Sequence, residues 1–362
     1  MIWNLLLRNM REERRKRRNG CREASAGAKI LVMALLAAVV TAGCQPAAGG
    51  GKDTASSGDG AEDGKIRVVT TIFPQYDFVR EIAGDEVDLQ MLLKPGEESH
   101  SYEPTPRDII AIQNCDIFIY VGGENDVWVE DILESMPASD MRTLRLLDCV
   151  DTVEEEHVEG MKESVGGHSH DGEEDGGEEE EDVHPVHEID EHVWTSPVNA
   201  AAIVDEIAGL LEEADPGHAD IYEENAAEYT EKLMDLDGEF RDVVEHAERS
   251  LLIFGDRFPF RYFADEYGLD YYAAFPGCAS DTEPSAATMV FLIDKVKEEN
   301  APAVLKMELS NADIANAVAE ATGTEVRVFY SCHNLSAEQF ENGESYLTMM
   351  EQNVETLKEV LN

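Results

Sequence analysis

From Lys65 onward the chain alternates short runs of β-branched and aromatic residues with stretches of helical period, and it does so twice, on either side of a long, nearly continuous helical pattern. In the first set, strands are expected near residues 66–73, 87–93, 117–121 and 144–147, with helices near 75–83, 106–114 and 127–134. In the second, strands are expected near 251–255, 270–274, 303–309 and 326–330, with helices near 259–266, 285–299, 311–322 and 346–361. Strands separated by crossover helices pair in parallel and need helices on the sheet faces. The fold class is therefore α/β: two lobes, residues 65–196 and 250–362, each with a four-stranded, mostly parallel sheet flanked by helices.

The stretch between them, residues 197–249, reads as a linking helix over 197–214 and 218–246, broken at Asp215-Pro216-Gly217. Two α/β lobes bridged by one long helix leave a cleft with limited hinge freedom. Ligands of open α/β sheets bind at the carboxyl ends of strands, so the loops there are where chemistry is sought. Local signals place several helix ends: Thr105 with Pro106 and Ser196 with Pro197 open helices, Ser310 is expected as an N-cap, and Gly323 as a C-terminal stop.

The first 43 residues carry basic residues, among them Arg11, Arg14, Arg15, Arg17 and Arg18, ahead of one apolar run from residue 30 to residue 40. That run is too short for the roughly 20 residues a spanning helix requires, so it reads as an export signal. It ends in Thr41-Ala42-Gly43-Cys44, which resembles a bacterial lipobox with Thr41 where Leu is usual; Cys44 is then the lipidated N-terminus. Translation starting at Met10 would shorten the long basic region. Residues 44–64, rich in Gly, Ala, Ser and Asp, suit a flexible tether. The expected location is extracytoplasmic: anchored to the outer face of the cytoplasmic membrane, or periplasmic.

A formal net charge of -49 excludes a nucleic-acid partner as the default, because phosphate backbones are bound by clustered Lys and Arg. An acidic surface concentrates cations without specifying a site for them. The charge is densest in an insert at 154–191, with 17 Asp or Glu, one Lys and five histidines, His157, His168, His170, His184 and His187. Such a segment cannot bury enough apolar surface to fold alone. It reads either as a solvated acidic loop or as an auxiliary loop that captures metal loosely.

Two other histidines sit where strands hand over to helices. His100 lies in Lys94-Pro95-Gly96-Glu97-Glu98-Ser99-His100-Ser101-Tyr102-Glu103-Pro104-Thr105-Pro106, past one strand and before a capped helix. His192 lies in Asp190-Glu191-His192-Val193-Trp194-Thr195-Ser196-Pro197, with Asp190 as a candidate to fix its tautomer. Either alone would more often be a surface or hydrogen-bonded residue; beside a His-rich loop in an exported acidic chain, both read as metal ligands.

These motifs, with the Phe73-Pro74 opening, Glu283-Pro284-Ser285, and the closing Tyr346-Leu347-Thr348-Met349-Met350 with Asn353, resemble the zinc and manganese substrate-binding lipoproteins of bacterial ABC importers, and in particular their zinc-type members. The resemblance spans nearly all of 65–362. It implies Zn2+ as transported ligand, with Mn2+ less suited, an ABC permease as partner, membrane attachment through Cys44, and a monomer with no enzymatic activity. The family's first two ligands map onto His100 and His192, and its last onto His333 in Ser331-Cys332-His333-Asn334-Leu335. Its third falls on Arg257 in Gly255-Asp256-Arg257-Phe258, and an arginine offers a metal no lone pair. Asp256, a loop His or a water is left to complete a tetrahedron. Three imidazoles favour zinc over manganese, which prefers oxygen.

Cys115, Cys149, Cys278 and Cys332 make an even number in an oxidising compartment. Cys278 and Cys332 each follow a strand of the second lobe, and a disulfide between them is expected, with thiolate ligation as the second reading; Cys115 and Cys149 are paired or merely buried. Of other functions, a zinc hydrolase shares the layout of three ligands plus water. His187 and His192, five apart, cannot share a helical face as a metalloprotease pair does. A surface adhesin is a further alternative.

Overall fold

Val68, Ile117, Phe118 and Ile119 are fully buried, as central strands covered by helices on both faces must be. The computed structural model describes residues 64–98, 102–137, 140–161, 188–279 and 283–362. The export signal, Cys44, the tether, His100, and His168, His170, His184 and His187 lie outside the described residues. In the first lobe β1 (Ile66–Thr70), α1 (Phe73–Ala83), β2 (Val87–Met91), α2 (Pro106–Asn114), β3 (Ile117–Tyr120), α3 (Val127–Ser135) and β4 (Arg142–Arg145) follow in turn. The sheet is wholly parallel with order β2-β1-β3-β4; Val68 pairs with Leu89 on one side and Ile117 on the other.

Local chemistry sets the helix starts. The Gln75 carboxamide oxygen accepts from the amides of Thr71 and Ile72 at 2.9 and 3.1 Å, closing the turn into α1. Thr105 and Asp108 form a reciprocal capping box at α2, whose first residue is Pro106.

Two helices follow: α4 (Pro197–Ala214), capped by Ser196, and α5 (Ala219–Glu245). They pack on each other across the Asp215-Pro216-Gly217 turn, and α5 touches α1 of the first lobe as well as the last helix of the second. The second lobe contains β5 (Leu251–Phe258), α6 (Arg261–Tyr267), β6 (Asp270–Pro276), α7 (Ala286–Glu298), β7 (Ala303–Lys306), α8 (Asp313–Thr322), β8 (Glu325–Val328), a short α9 (Ala337–Glu341) and α10 (Tyr346–Leu361). Its sheet has the same logic, β6-β5-β7-β8, all parallel.

One buried cluster runs through both lobes, from Phe73 and Phe78 through Trp194, Tyr222 and Phe240 to Phe254, Phe329 and Tyr346. Trp194 rivets it: its indole N–H donates to the Ser331 carbonyl at 2.9 Å, and its own carbonyl accepts from the Tyr346 hydroxyl at 2.7 Å. A shared core of this kind opposes wide lobe separation, because opening it would expose large aromatic surface to water.

The cap of one helix and the pairing of two cysteines differ from expectation. The N-cap of α8 is Ala312, in the left-handed region at φ 63°, and Ser310 instead accepts from the Ala312 amide at 3.3 Å. No disulfide joins Cys278 and Cys332; both are free thiols, as is Cys115. The Cys278 amide is held by Glu155 at 2.8 Å, while Cys332 is fully buried, so each belongs to a separate packing environment.

Candidate metal centre

In each sheet the connection reverses direction between the two inner strands, β1 and β3 or β5 and β7, and a crevice opens at such a switch point outside the carboxyl ends of the strands. A cavity of about 220 Å³ occupies that position in the second lobe. Around it stand Glu98 and His192 from the first lobe, with Asp256, Arg257, Glu308 and His333 from the second.

His192 is delivered by the base of the acidic insert. Glu154 bridges Ile189 in antiparallel fashion, the Glu155 amide donates to the Glu188 carbonyl at 2.8 Å, and the Asp190 amide donates to the Val153 carbonyl at 3.0 Å. The insert is thus zipped at its ends and feeds straight into His192, which is 1 % exposed. One Asp190 carboxylate oxygen faces both the His192 amide, at 2.8 Å, and its ring Nδ1, at 3.1 Å. Nδ1 then carries the proton and Nε2 the lone pair that a metal takes. Burial opposes charging of this ring, but Asp190, Glu191 and Glu155 outweigh it, and its pKa is raised.

His333 arrives on the loop after β8, its amide donating to the Ser331 hydroxyl at 3.3 Å. Its ring meets that of His192 edge-on, centroids 5.5 Å apart, and both pack against Trp194. The structure therefore brings together two imidazoles expected from sequence. Among the described residues no group of three or more His, Cys, Asp or Glu is placed to hold a metal ion.

Asp256 lines the cavity with both carboxylate oxygens engaged, one by the Arg257 amide at 2.9 Å and the other by the Met307 amide at 3.0 Å. It ties β5 to the loop after β7. Arg257, where the resemblance led us to expect a third ligand, donates to the Ala279 carbonyl at 3.2 Å and to Glu98 at 3.0 Å. His157 is exposed on the zipped base of the insert and lies near Glu188, whose carboxyl is raised by burial and then by Glu124 and Glu155.

Glu98 and Glu308 were not singled out from sequence. Glu308 accepts from the amide and hydroxyl of Ser331, both at 2.8 Å, and burial raises its pKa, opposed by those Ser331 bonds. Its position just past the carboxyl end of β7 was the available signal.

Fold and cavity define a bilobal α/β protein with a cleft lined by residues of both lobes. The chain belongs to the family described as "Zinc-uptake complex component A periplasmic", which matches residues 68–360. It is 34% identical over 318 residues to the high-affinity zinc uptake system protein ZnuA of Bacillus subtilis, covering 87% of this chain and 93% of that one. It is 32% identical over 297 residues to the zinc-binding lipoprotein AdcA of Streptococcus pneumoniae. That match covers 82% of this chain and 56% of AdcA, so the chain spans little more than half the length of the streptococcal relative. Among solved structures, the metal-dependent lipoprotein YcdH from Bacillus subtilis superposes with a TM-score of 0.66 at 30% identity, covering 82% of this chain and 99% of that one. The Zn(II)-bound ZnuA-like domain of Streptococcus pneumoniae AdcA does so at 0.64 and 28%, with the same coverage.

Proposed function

We propose that this protein captures Zn2+ outside the cytoplasm, in the cavity between its lobes, and delivers it to an ABC-type permease for import. The observation that carries this reading is the edge-on pair His192 and His333, with Nδ1 of His192 pinned by buried Asp190. His100, two residues beyond Glu98 in the chain, is the third nitrogen ligand. Asp256 spends both oxygens on backbone amides, which favours water as the fourth. Three imidazoles suit zinc better than manganese. The histidines of the insert collect metal ahead of the cavity, and lipid on Cys44 keeps the monomer at the membrane beside its permease. Delivery requires that the docked state bind zinc more weakly than the free state, since only differential affinity drives exchange.

The test is zinc titration and metal analysis of the soluble form lacking residues 1–44, with His100→Ala, His192→Ala and His333→Ala variants. One tightly bound zinc is expected in the parent, and each variant should bind at least about 100-fold more weakly, roughly 2.7 kcal/mol. Indifference to zinc, or variants that bind as the parent does, would remove the cargo reading. Hydrolysis of a test ester or peptide by the zinc-loaded form would favour the enzyme alternative.

A further inference from the structure

Arg257 stands where the family's resemblance places a ligand, yet it is a permanent cation with no lone pair. Its side chain is 9% exposed, a costly place for a charge unless a partner justifies it. The partner comes from the other lobe. Glu98 belongs to the segment that follows β2, and its carboxylate sits 3.0 Å from Arg257 Nη2, while Nη1 is spent on the Ala279 carbonyl of the arginine's own lobe.

The same segment is gripped at a second place, next to His333. The Asn334 side-chain amide donates to the carbonyls of Lys94 at 2.9 Å and Glu97 at 2.8 Å, and the Gly96 amide donates to the Leu335 carbonyl at 2.8 Å. Residues 94–97 are thereby fixed through their backbone to Asn334 and Leu335 of the second lobe, and Glu98 extends that attachment to the far side of the cavity. Ordering a ligand-bearing segment before the ion arrives lowers the entropy that binding must otherwise spend.

We infer that Arg257 is a positioning residue for the cargo site: it has exchanged a ligand's role for that of a clasp, holding the 94–98 segment of the first lobe against the second through Glu98. The inference rests on the zinc reading for its consequence, slower metal loss, but the clasp itself can be read without metal.

The experiment uses the full-length chain, purified in detergent, with Arg257→Gln, Glu98→Gln and the double variant. Zinc dissociation is timed by chelator competition, and amide hydrogen exchange is followed at Gly96 in the metal-free protein. Because Glu98 is half-exposed, the pair is screened, and a rise of about five- to tenfold in zinc off-rate is expected for either single variant, with little change in on-rate. The double variant should be no worse than the singles, since each already breaks the same contact. Gly96 exchange should quicken in all three. Glu98→Gln lies on a half-exposed side chain and guards against misfolding of the arginine variant. Additive off-rate effects, or Gly96 exchange unchanged in both singles, overturns the clasp. If the parent takes up no zinc the cargo reading falls, and the Gly96 arm alone still decides whether Arg257 holds the segment.

Discussion

His192 is useful to a metal only in one tautomer, and Asp190 selects it. The main chain of Asp190 is itself held: its amide donates to the Val153 carbonyl, and its carbonyl accepts from the Tyr262 hydroxyl at 2.7 Å. Asp190→Asn keeps the volume but can present an N–H to Nδ1, turning the proton to Nε2. Zinc affinity should fall by about 10- to 100-fold, measured by competition with a chromophoric chelator, with the melting temperature little changed. Equal affinity would mean that Asp190 serves the loop alone. At this scale sequence pointed to part of the candidate site: His192 and His333 do meet, and Asp190 does face a ring nitrogen, while His100 lies outside the described residues. Glu98 and Glu308 escaped notice because an acidic chain offers dozens of similar carboxylates. Only the pairing with Arg257 and Ser331, far off in sequence, sets those two apart.

Elements were legible where burial and period agree and blurred where an edge strand faces solvent. The helices at 106–114 and 346–361 fall where caps and Pro106 put them. β4 does not: a strand was expected over the leucines at 144–147, yet the ladder with β3 uses Arg142–Arg145, while Leu146 and Leu147 turn inward in a 3-10 turn. An edge strand satisfies its register with backbone alone, so arginines are tolerated and the leucines go to the core. The longest strand shows the opposite constraint. A Cβ on Gly255 in β5 would lie 2.5 Å from the backbone of Ala315 in α8, closer than packed atoms approach. Gly255→Ala should therefore push α8 off the sheet and destabilise by about 1–3 kcal/mol, a drop of several degrees in thermal unfolding. A melting temperature equal to the parent's would show that α8 gives way freely.

The two lobes are also joined by a buried carboxylate that does not line the cavity. Asp77 in α1, with no exposed surface, accepts from the Tyr346 amide at 2.7 Å, at the start of α10 in the other lobe. Tyr346 then reaches Trp194, and Trp194 reaches Ser331, so one chain of contacts runs from the first lobe's helix to the loop that bears His333. Burial pushes the Asp77 carboxyl up to about 7 from 3.8, with Arg80 and the Tyr346 amide offsetting part of the effect. An acid whose folded pKa is raised keeps its proton in the native state where the unfolded chain has lost it. Its contribution to stability is therefore greatest below about pH 4 and declines as pH rises towards about 7. Asp77→Asn retains an acceptor for Tyr346 and removes the titration. The melting temperature of the variant minus that of the parent, in metal-free protein, should be more positive at pH 8 than at pH 5 by about 3 °C or more. A difference that stays the same over this range would mean that Arg80 keeps Asp77 charged throughout, and that the lobes are docked by an ion pair rather than by a protonated acid.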